Sequence, residues 1–247
     1  LIIGLPKSGT TLIEWVLSEI GYVNMTTSCL RVFDDRKLEH PHDLSDDMLK
    51  NFPLNKPTFL KRHSEPNNLN LELIKKYNFK TIISFRNLKD VMISRYLHMI
   101  TDKSLPQHDI YNKLNLTEGF KTSLIKNHLN TIPIQDVNNW IKNWKKEIES
   151  NKNFCELNYD DYNRNKEFYI KKLLNFLKVD SGTLMNKIIE KHQKHLEIIK
   201  KNNLTENLNS ISPQTYNRKK SSEIKKLLDN DAVNNFYKEC VNKYCST

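Results

Sequence analysis

The sequence predicts an α/β fold: a single domain with a central parallel sheet, helices on both faces, and a phosphate-binding loop at the sheet's carboxyl edge. Three observations predict it. Short apolar runs of strand length alternate with amphipathic segments of helix length, the pattern a parallel sheet requires because each crossover returns over one face. The first apolar run passes through a Gly/Pro/Ser turn straight into a helical pattern. Five glycines and eight prolines are spread over 247 residues with no Gly/Ser- or Pro-rich linker, so residues 1–247 read as one continuous domain.

"LIIGL" is the first strand, and "TTLIEWVLSEIG" the helix that follows it, capped by Thr10 or Thr11 with Glu14 close behind and closed by Gly21. Residues 24–57 have weak periodicity and dense turn residues, with a short helix near 46–52. "TFLKRH" reads as the second strand, "NLELIKKYN" as a helix, and "KTIISF" as a fully buried third strand. "LKDVMISRYLHMI" is helical, whereas residues 102–134 are poorly patterned and interrupted by Pro106 and Pro133. "VNNWIKNWKKEIES" is an amphipathic helix and "NFCELNY" the fourth strand. After Arg164 the chain reads as helices, with a loop around residues 208–220. In such sheets ligands bind beyond the carboxyl ends of the strands. Those ends carry "GLPKSGTT", "KRH", "RNLKD" and "NYDD", which converge on one candidate site.

Lys plus Arg outnumber Asp plus Glu by 39 to 29, a formal charge of +10. That excess suits an anionic partner, whether nucleic acid, anionic lipid or a polyphosphorylated small molecule, while dispersed runs such as "KNWKKE" read as solubilising surface. The tyrosines fall at the helical spacing of core residues, which argues against a nucleic-acid-binding surface. No apolar run is long enough to span a membrane. Cys29, Cys155, Cys240 and Cys245 form no C-x-x-C pair and no metal spacing with histidine, so reduced thiols, a cytoplasmic setting and no metal site are expected. Asn24, Asn115 and Asn203 each begin an N-x-Thr sequon, as chance provides in an Asn-rich chain. Leu1 already lies in a strand, so the natural start is expected upstream.

The chemistry starts at "GLPKSGTT". Gly4 and Gly9 keep the spacing of a nucleotide-binding P-loop, but the residue after the second glycine is Thr10 and the lysine, Lys7, sits inside the turn. Backbone N–H groups of Ser8, Gly9, Thr10 and Thr11 can point at an anion from the helix N-terminus. Arg86 ends the third strand. Ser94 lies eight residues on, about 12 Å along a helix, so Arg86 must reach back to share one phosphate with it. Lys61 and His63 alternate onto the same face of an extended segment.

Together these segments resemble the sulfotransferase family that uses 3′-phosphoadenosine 5′-phosphosulfate (PAPS), especially its cytosolic branch. "PKSGTT" is similar to the family's 5′-phosphosulfate loop and "FRNLKDVMIS" to its 3′-phosphate segment, with Leu88 in place of the usual proline. "LKRH" looks like its Lys-x-His strand end, the stretch from "NYDD" onward like that around its adenine-contacting tyrosine (here Tyr159), and "SISPQTYNRKK" like its late Arg-Lys-Gly segment. The likeness runs in order over nearly the whole chain. Two departures stand out: Leu12 replaces the adenine-stacking tryptophan, and Arg218-Lys219-Lys220 replaces Arg-Lys-Gly.

The resemblance implies roles. His63 is the general base; Lys7 and Lys61 neutralise developing charge, and Ser94 restrains Lys7. Arg86, Ser94 and Arg218 hold the 3′-phosphate, with Lys7, Ser8, Gly9, Thr10, Thr11, Tyr159 and Lys219 completing the nucleotide site. The donor is PAPS, the product adenosine 3′,5′-bisphosphate (PAP), and no metal is needed. The acceptor offers a hydroxyl, or second an amine, on a small molecule or glycan. It is set by the irregular stretches 24–57 and 102–133, whose His40, His42, Phe52 and Tyr111 most simply face solvent. The rival readings are a P-loop nucleotide kinase, which wants a lysine after Gly9, and a non-catalytic nucleotide- or nucleic-acid-binding protein. The oligomeric state is not legible.

Overall fold

The structure is a computed structural model that describes residues 1–27, 42–50, 52–53, 55–125, 132–201, 227 and 229–245. In chain order the elements are β1 (Ile2–Gly4), α1 (Thr10–Glu19), β2 (Val23–Asn24), α2 (Asp46–Lys50), β3 (Thr58–Phe59), β4 (Lys61–Arg62), α3 (Asn68–Lys76), β5 (Thr81–Phe85), α4 (Leu88–Thr101), α5 (His108–Tyr111), α6 (Leu116–Ile125), α7 (Ile134–Ser150), β6 (Phe154–Asn158), α8 (Tyr159–Arg164), α9 (Lys166–Leu177), α10 (Gly182–Lys201) and α11 (Asp231–Tyr244). Two compact units divide them, Leu1–Arg86 with Trp140–Lys191, and Asn87–Asn139 with His192–Thr247.

The first unit is built on a four-stranded parallel sheet of order β4-β1-β5-β6. Its register pairs Ile2 with Lys61 and Ile82, Gly4 with Ser84, and Phe85 with Asn158. The run "TFLKRH", expected as one strand, serves two. Thr58–Phe59 pairs with β2, Lys61–Arg62 pairs with β1, and the Leu60 carbonyl between them accepts from Ile2 N at 2.8 Å. All five residues of β5 are buried, as expected for the centre of a sheet covered on both faces.

Side-chain alternation sorts the core. Ile2, Ile82, Cys155 and Leu157 pack with Leu12, Ile13, Val16 and Leu17 of α1 and with Tyr169, Ile170, Leu173 and Leu174 of α9. The other side of the sheet meets α7: Phe85 of β5 lies edge-on to Trp140 at 5.9 Å between ring centres, and Phe154 of β6 meets Trp144 at 6.0 Å. Edge-to-face pairs of this kind add about 0.5–1.5 kcal/mol beyond the area they bury.

The abundant asparagine has a local explanation. Asn67, Asn87, Asn158, Asn165 and Asn230 each cap a helix, the side-chain oxygen accepting from an amide of the first turn. Helix α1 departs from that habit. Its N-cap is Gly9 at φ 102°, with no side-chain cap, rather than the expected Thr10 or Thr11, both of which lie inside the helix.

In the second unit, the described residues of 102–134 include two helices that the weak pattern concealed, α5 and α6. Both are short, at four and ten residues. Tyr111 and Phe120 nevertheless meet Tyr96 of α4 at 6.0 and 5.7 Å, so Tyr111 is a core residue and does not face solvent. The same correction applies in the first unit to Phe52, buried edge-on against Phe79 at 5.5 Å. His42 is exposed, as expected, and His40 lies outside the described residues. Among the described residues no helix is long and apolar enough to cross a membrane.

Candidate active site

Because the sheet is parallel, the residues after Gly4, Arg62, Phe85 and Asn158 all leave it at one edge within the first unit. The first exit is the phosphate loop. Lys7 has φ 74° and Gly9 φ 102°, left-handed conformations that aim successive amides inward. Gly9 is doubly required, since a Cβ there would stand 2.5 Å from Tyr159 Cδ2. Gly4 is equally enclosed, its missing Cβ facing Thr10 Cγ2 at 2.6 Å, Ser8 Oγ at 2.7 Å and Ser84 Cβ at 2.9 Å.

Three donors fix the loop's path. Ser84 Oγ donates to the Ser8 carbonyl at 2.8 Å, Arg86 Nη1 to the Lys7 carbonyl at 3.3 Å, and Ser8 N to the Leu5 carbonyl at 3.1 Å. The Arg86 guanidinium also lies over the Tyr159 ring at 5.2 Å, a cation–π contact. The amides of Gly9, Thr10 and Thr11 precede the first backbone bond of α1, from Leu12 N to the Gly9 carbonyl at 3.0 Å. Two buried polar atoms here, Ser8 Oγ and Arg86 Nε, have no hydrogen-bond partner. A buried orphan costs about 1–3 kcal/mol, and both face the chemistry of an anion, as donors.

The second exit presents Lys61 and His63. The chain around them is pinned from several sides. Trp140 and Trp144 both donate their indole N–H to the Ser64 carbonyl at 3.0 Å. Ser64 Oγ and Arg62 Nε donate to the His42 carbonyl at 2.7 and 3.2 Å, and Arg62 Nη2 donates to that of Asp43 at 2.9 Å. The His63 ring bonds through Nδ1 to the Gly4 carbonyl. A carbonyl only accepts, so Nδ1 carries the proton and Nε2 keeps its lone pair. Burial pushes the His63 pKa down to about 4, with the positive neighbours Lys61 and Arg62 and the His42 ring (edge-on at 5.3 Å) acting in the same direction. The Gly4 hydrogen bond opposes them. His63 is therefore neutral at pH 7. Lys61 Nζ is paired with Glu14 Oε2 at 2.6 Å.

Lys7, Ser8, Gly9, Thr10, Lys61, His63, Arg86 and Tyr159 thus belong to the same sheet edge. Thr11 is exposed on the first turn of α1, and Ser94 is half-buried on α4 in the second unit. Arg218 and Lys219 lie outside the described residues. Leu12, at the position of the family's stacking tryptophan, is a core residue. Sequence reasoning missed Ser84, Glu14, Trp140 and Trp144 as parts of the site. The one available hint was "WIKNW", whose tryptophans stand one helical turn apart and so share a face. Among the described residues no cluster of His, Cys, Asp and Glu could hold a metal ion.

A phosphate loop with its lysine in the turn, on the same sheet edge as a Lys-x-His strand end, is what the resemblance to the sulfotransferase family leads one to expect. Residues 1–245 match the sulfotransferase domain family, and the chain belongs to it. Among solved structures it is similar to mouse sulfotransferase SULT7A1 complexed with PAP, at 19% identity and a TM-score of 0.67, covering 100% of this chain and 84% of that one. It is also similar to retinol dehydratase in complex with androsterone and inactive cofactor PAP, at 16% identity and a TM-score of 0.52. That match covers 76% of this chain and 62% of the dehydratase. No curated protein matches the chain. At these identities the likeness is one of fold.

Proposed function

We propose that this protein transfers a sulfuryl group from PAPS to a hydroxyl of a small-molecule or glycan acceptor, releasing PAP. The observation that carries the reading is the meeting, on one sheet edge, of an uncapped helix start, two partnerless buried donors (Ser8 Oγ in the loop and Arg86 Nε after β5) and an imidazole fixed in its Nδ1–H tautomer. The residues present fit the donor: open amides and Ser8 Oγ suit a 5′-phosphate, and Arg86 braced on Tyr159 suits a second anionic group. PAPS supplies the sulfuryl group and a 5′-phosphate leaving group.

Each side chain then has a task. Lys7 brings its ammonium to the oxygen that takes on charge as the S–O bond breaks, a preorganised electrostatic role. Arg86 holds the 3′-phosphate, and the family resemblance adds Ser94, Arg218 and Lys219 to the residues that bind nucleotide. His63 Nε2, neutral and directed by the Gly4 carbonyl, accepts the proton of the attacking hydroxyl. The negative charge of a bound nucleotide lowers the cost of forming imidazolium, offsetting the depression that burial imposes. The described cysteines are free thiols, which suits a cytoplasmic setting.

Calorimetry without Mg²⁺ tests the nucleotide assignment. PAP is expected to bind more tightly than AMP or ATP, and equal affinity for AMP and PAP would remove the 3′-phosphate site. Incubation of ³⁵S-labelled PAPS with a panel of alcohols, phenols and sugars then identifies the acceptor class.

A further inference from the structure

Glu14 lies one turn into α1, directly behind the phosphate loop, and no part of the chemistry above uses it. Both oxygens of its carboxylate are nonetheless engaged. Oε2 accepts from Lys61 Nζ at 2.6 Å, with the two side chains only 16% and 24% exposed, and Oε1 accepts from Asn24 Nδ2 at 3.2 Å. The bonds continue. Asn24 Oδ1 accepts from Thr26 N at 2.9 Å, and Thr26 Oγ1 accepts from the backbone N–H of Lys61 at 3.0 Å. The four residues therefore close a ring, Glu14 to Asn24 to Thr26 to Lys61 and back to Glu14. The ring grips Lys61 twice, by its main chain and by the end of its side chain. Strand β2 sets the ring's far side, because Asn24 pairs with Phe59 and Met25 N donates to the Phe59 carbonyl at 2.8 Å.

We infer that Glu14 is a positioning residue for Lys61: it fixes the ammonium on the loop side of the Lys-x-His strand so that the nitrogen meets an incoming sulfuryl oxygen already oriented. A lysine ammonium has three N–H donors. Glu14 takes one, and two stay available for an anion. A free lysine must lose its rotamer freedom when it closes on a ligand; this one has lost it beforehand, and immobilising one such side chain is worth roughly 2- to 12-fold in affinity. The carboxylate also balances the charge of Lys61 between ligands. The inference rests on the sulfotransferase reading and concerns only the group by which PAPS differs from PAP.

The test is calorimetric affinity for PAPS and for PAP on the full chain, as wild type, Glu14→Ala, Lys61→Ala and the double variant. Glu14→Ala is expected to weaken PAPS by roughly 2- to 12-fold while PAP moves less than about twofold, since only PAPS offers the sulfuryl oxygens that Lys61 meets. Lys61→Ala should weaken PAPS at least as much, and Glu14→Ala should add nothing in that background. Equal losses for both nucleotides, no loss for either, or an undiminished Glu14 effect without Lys61 would each overturn the inference and leave a merely structural ion pair. Wild-type protein that binds neither nucleotide would instead overturn the sulfotransferase reading beneath it. If circular dichroism shows Glu14→Ala to be unfolded, Glu14→Gln, which keeps the volume and loses the charge, is judged by the same criteria with a smaller expected factor.

Discussion

Acidification should destabilise this protein through His63, by an amount the site itself sets. The imidazole has an ordinary pKa of 6.5 in the unfolded chain and about 4 in the folded one, lowered first by burial. Between those values the unfolded state binds more protons than the native state, so stability rises with pH across the window. The contribution is whole above pH 6.5, and it is lost as pH falls toward 4. At about 1.4 kcal/mol per pKa unit the full loss is about 3 kcal/mol, of which about 2 has gone by pH 5. The control is His63→Asn, whose amide nitrogen stands where Nδ1 stood and can still donate to the Gly4 carbonyl while having nothing to titrate. Urea unfolding of both proteins at pH 7.5, 6 and 5, followed by the fluorescence of buried Trp140 and Trp144, measures the difference. The other histidines act alike in both chains and cancel. Wild type should lose about 2 kcal/mol relative to His63→Asn between pH 7.5 and 5. Parallel pH dependences would show that His63 is hydrated in the native state and refute the burial argument.

Three further outcomes are expected. Gly9→Ala combines an unfavourable φ with a collision against Tyr159, and should cost about 2–4 kcal/mol in denaturant unfolding. Adding Tyr159→Ala should recover the collision and leave the φ penalty, so a double variant no better than the single one would contradict the geometry. Arg86→Ala should weaken PAP by about 1.5–3 kcal/mol in calorimetry with the fold intact, and unchanged affinity would move the 3′-phosphate elsewhere. His63→Ala should leave PAP affinity nearly intact and lower kcat by about 10²–10⁴, measured on one folded preparation once an acceptor is found; near wild-type turnover would assign the base to another group.

The sheet and its edge were legible because they rest on local signals. "LIIGLPKSGTT" states a strand, a turn and a helix start in eleven residues, and "KTIISF" reads as a buried strand by its shortness and its β-branched residues. The division of "TFLKRH" between two partners was not legible, since nothing in six residues says that Leu60 turns the chain from β2 to β1. The Gly9 cap was missed because threonine and glycine cap helices about equally well, so residue type alone does not choose between Gly9 and the threonines that follow it. Here an uncapped start leaves amides for a ligand, a local rule broken where function asks for it. Glu14, Ser84 and the two tryptophans were missed for another reason. Each acts through a contact more than 45 positions distant in the chain, which residue types alone do not encode.

The group that orients His63 is a peptide carbonyl, and this has a consequence for how the protein can vary. In many histidine sites the orienting group is a carboxylate, which a single codon change can weaken, strengthen or remove. At Gly4 no such change exists. The oxygen belongs to the main chain at the end of β1, and the only way to shift it is to shift the strand. Substitution at the position is blocked separately by Thr10, Ser8 and Ser84, which occupy the space a side chain would need. Saturation mutagenesis scored for activity should therefore find position 4 among the least tolerant in the chain, although it contributes no side chain. Under the proposed role of His63, selection for a new acceptor acts on residues around the ring's other nitrogen while the tautomer stays as the sheet has set it.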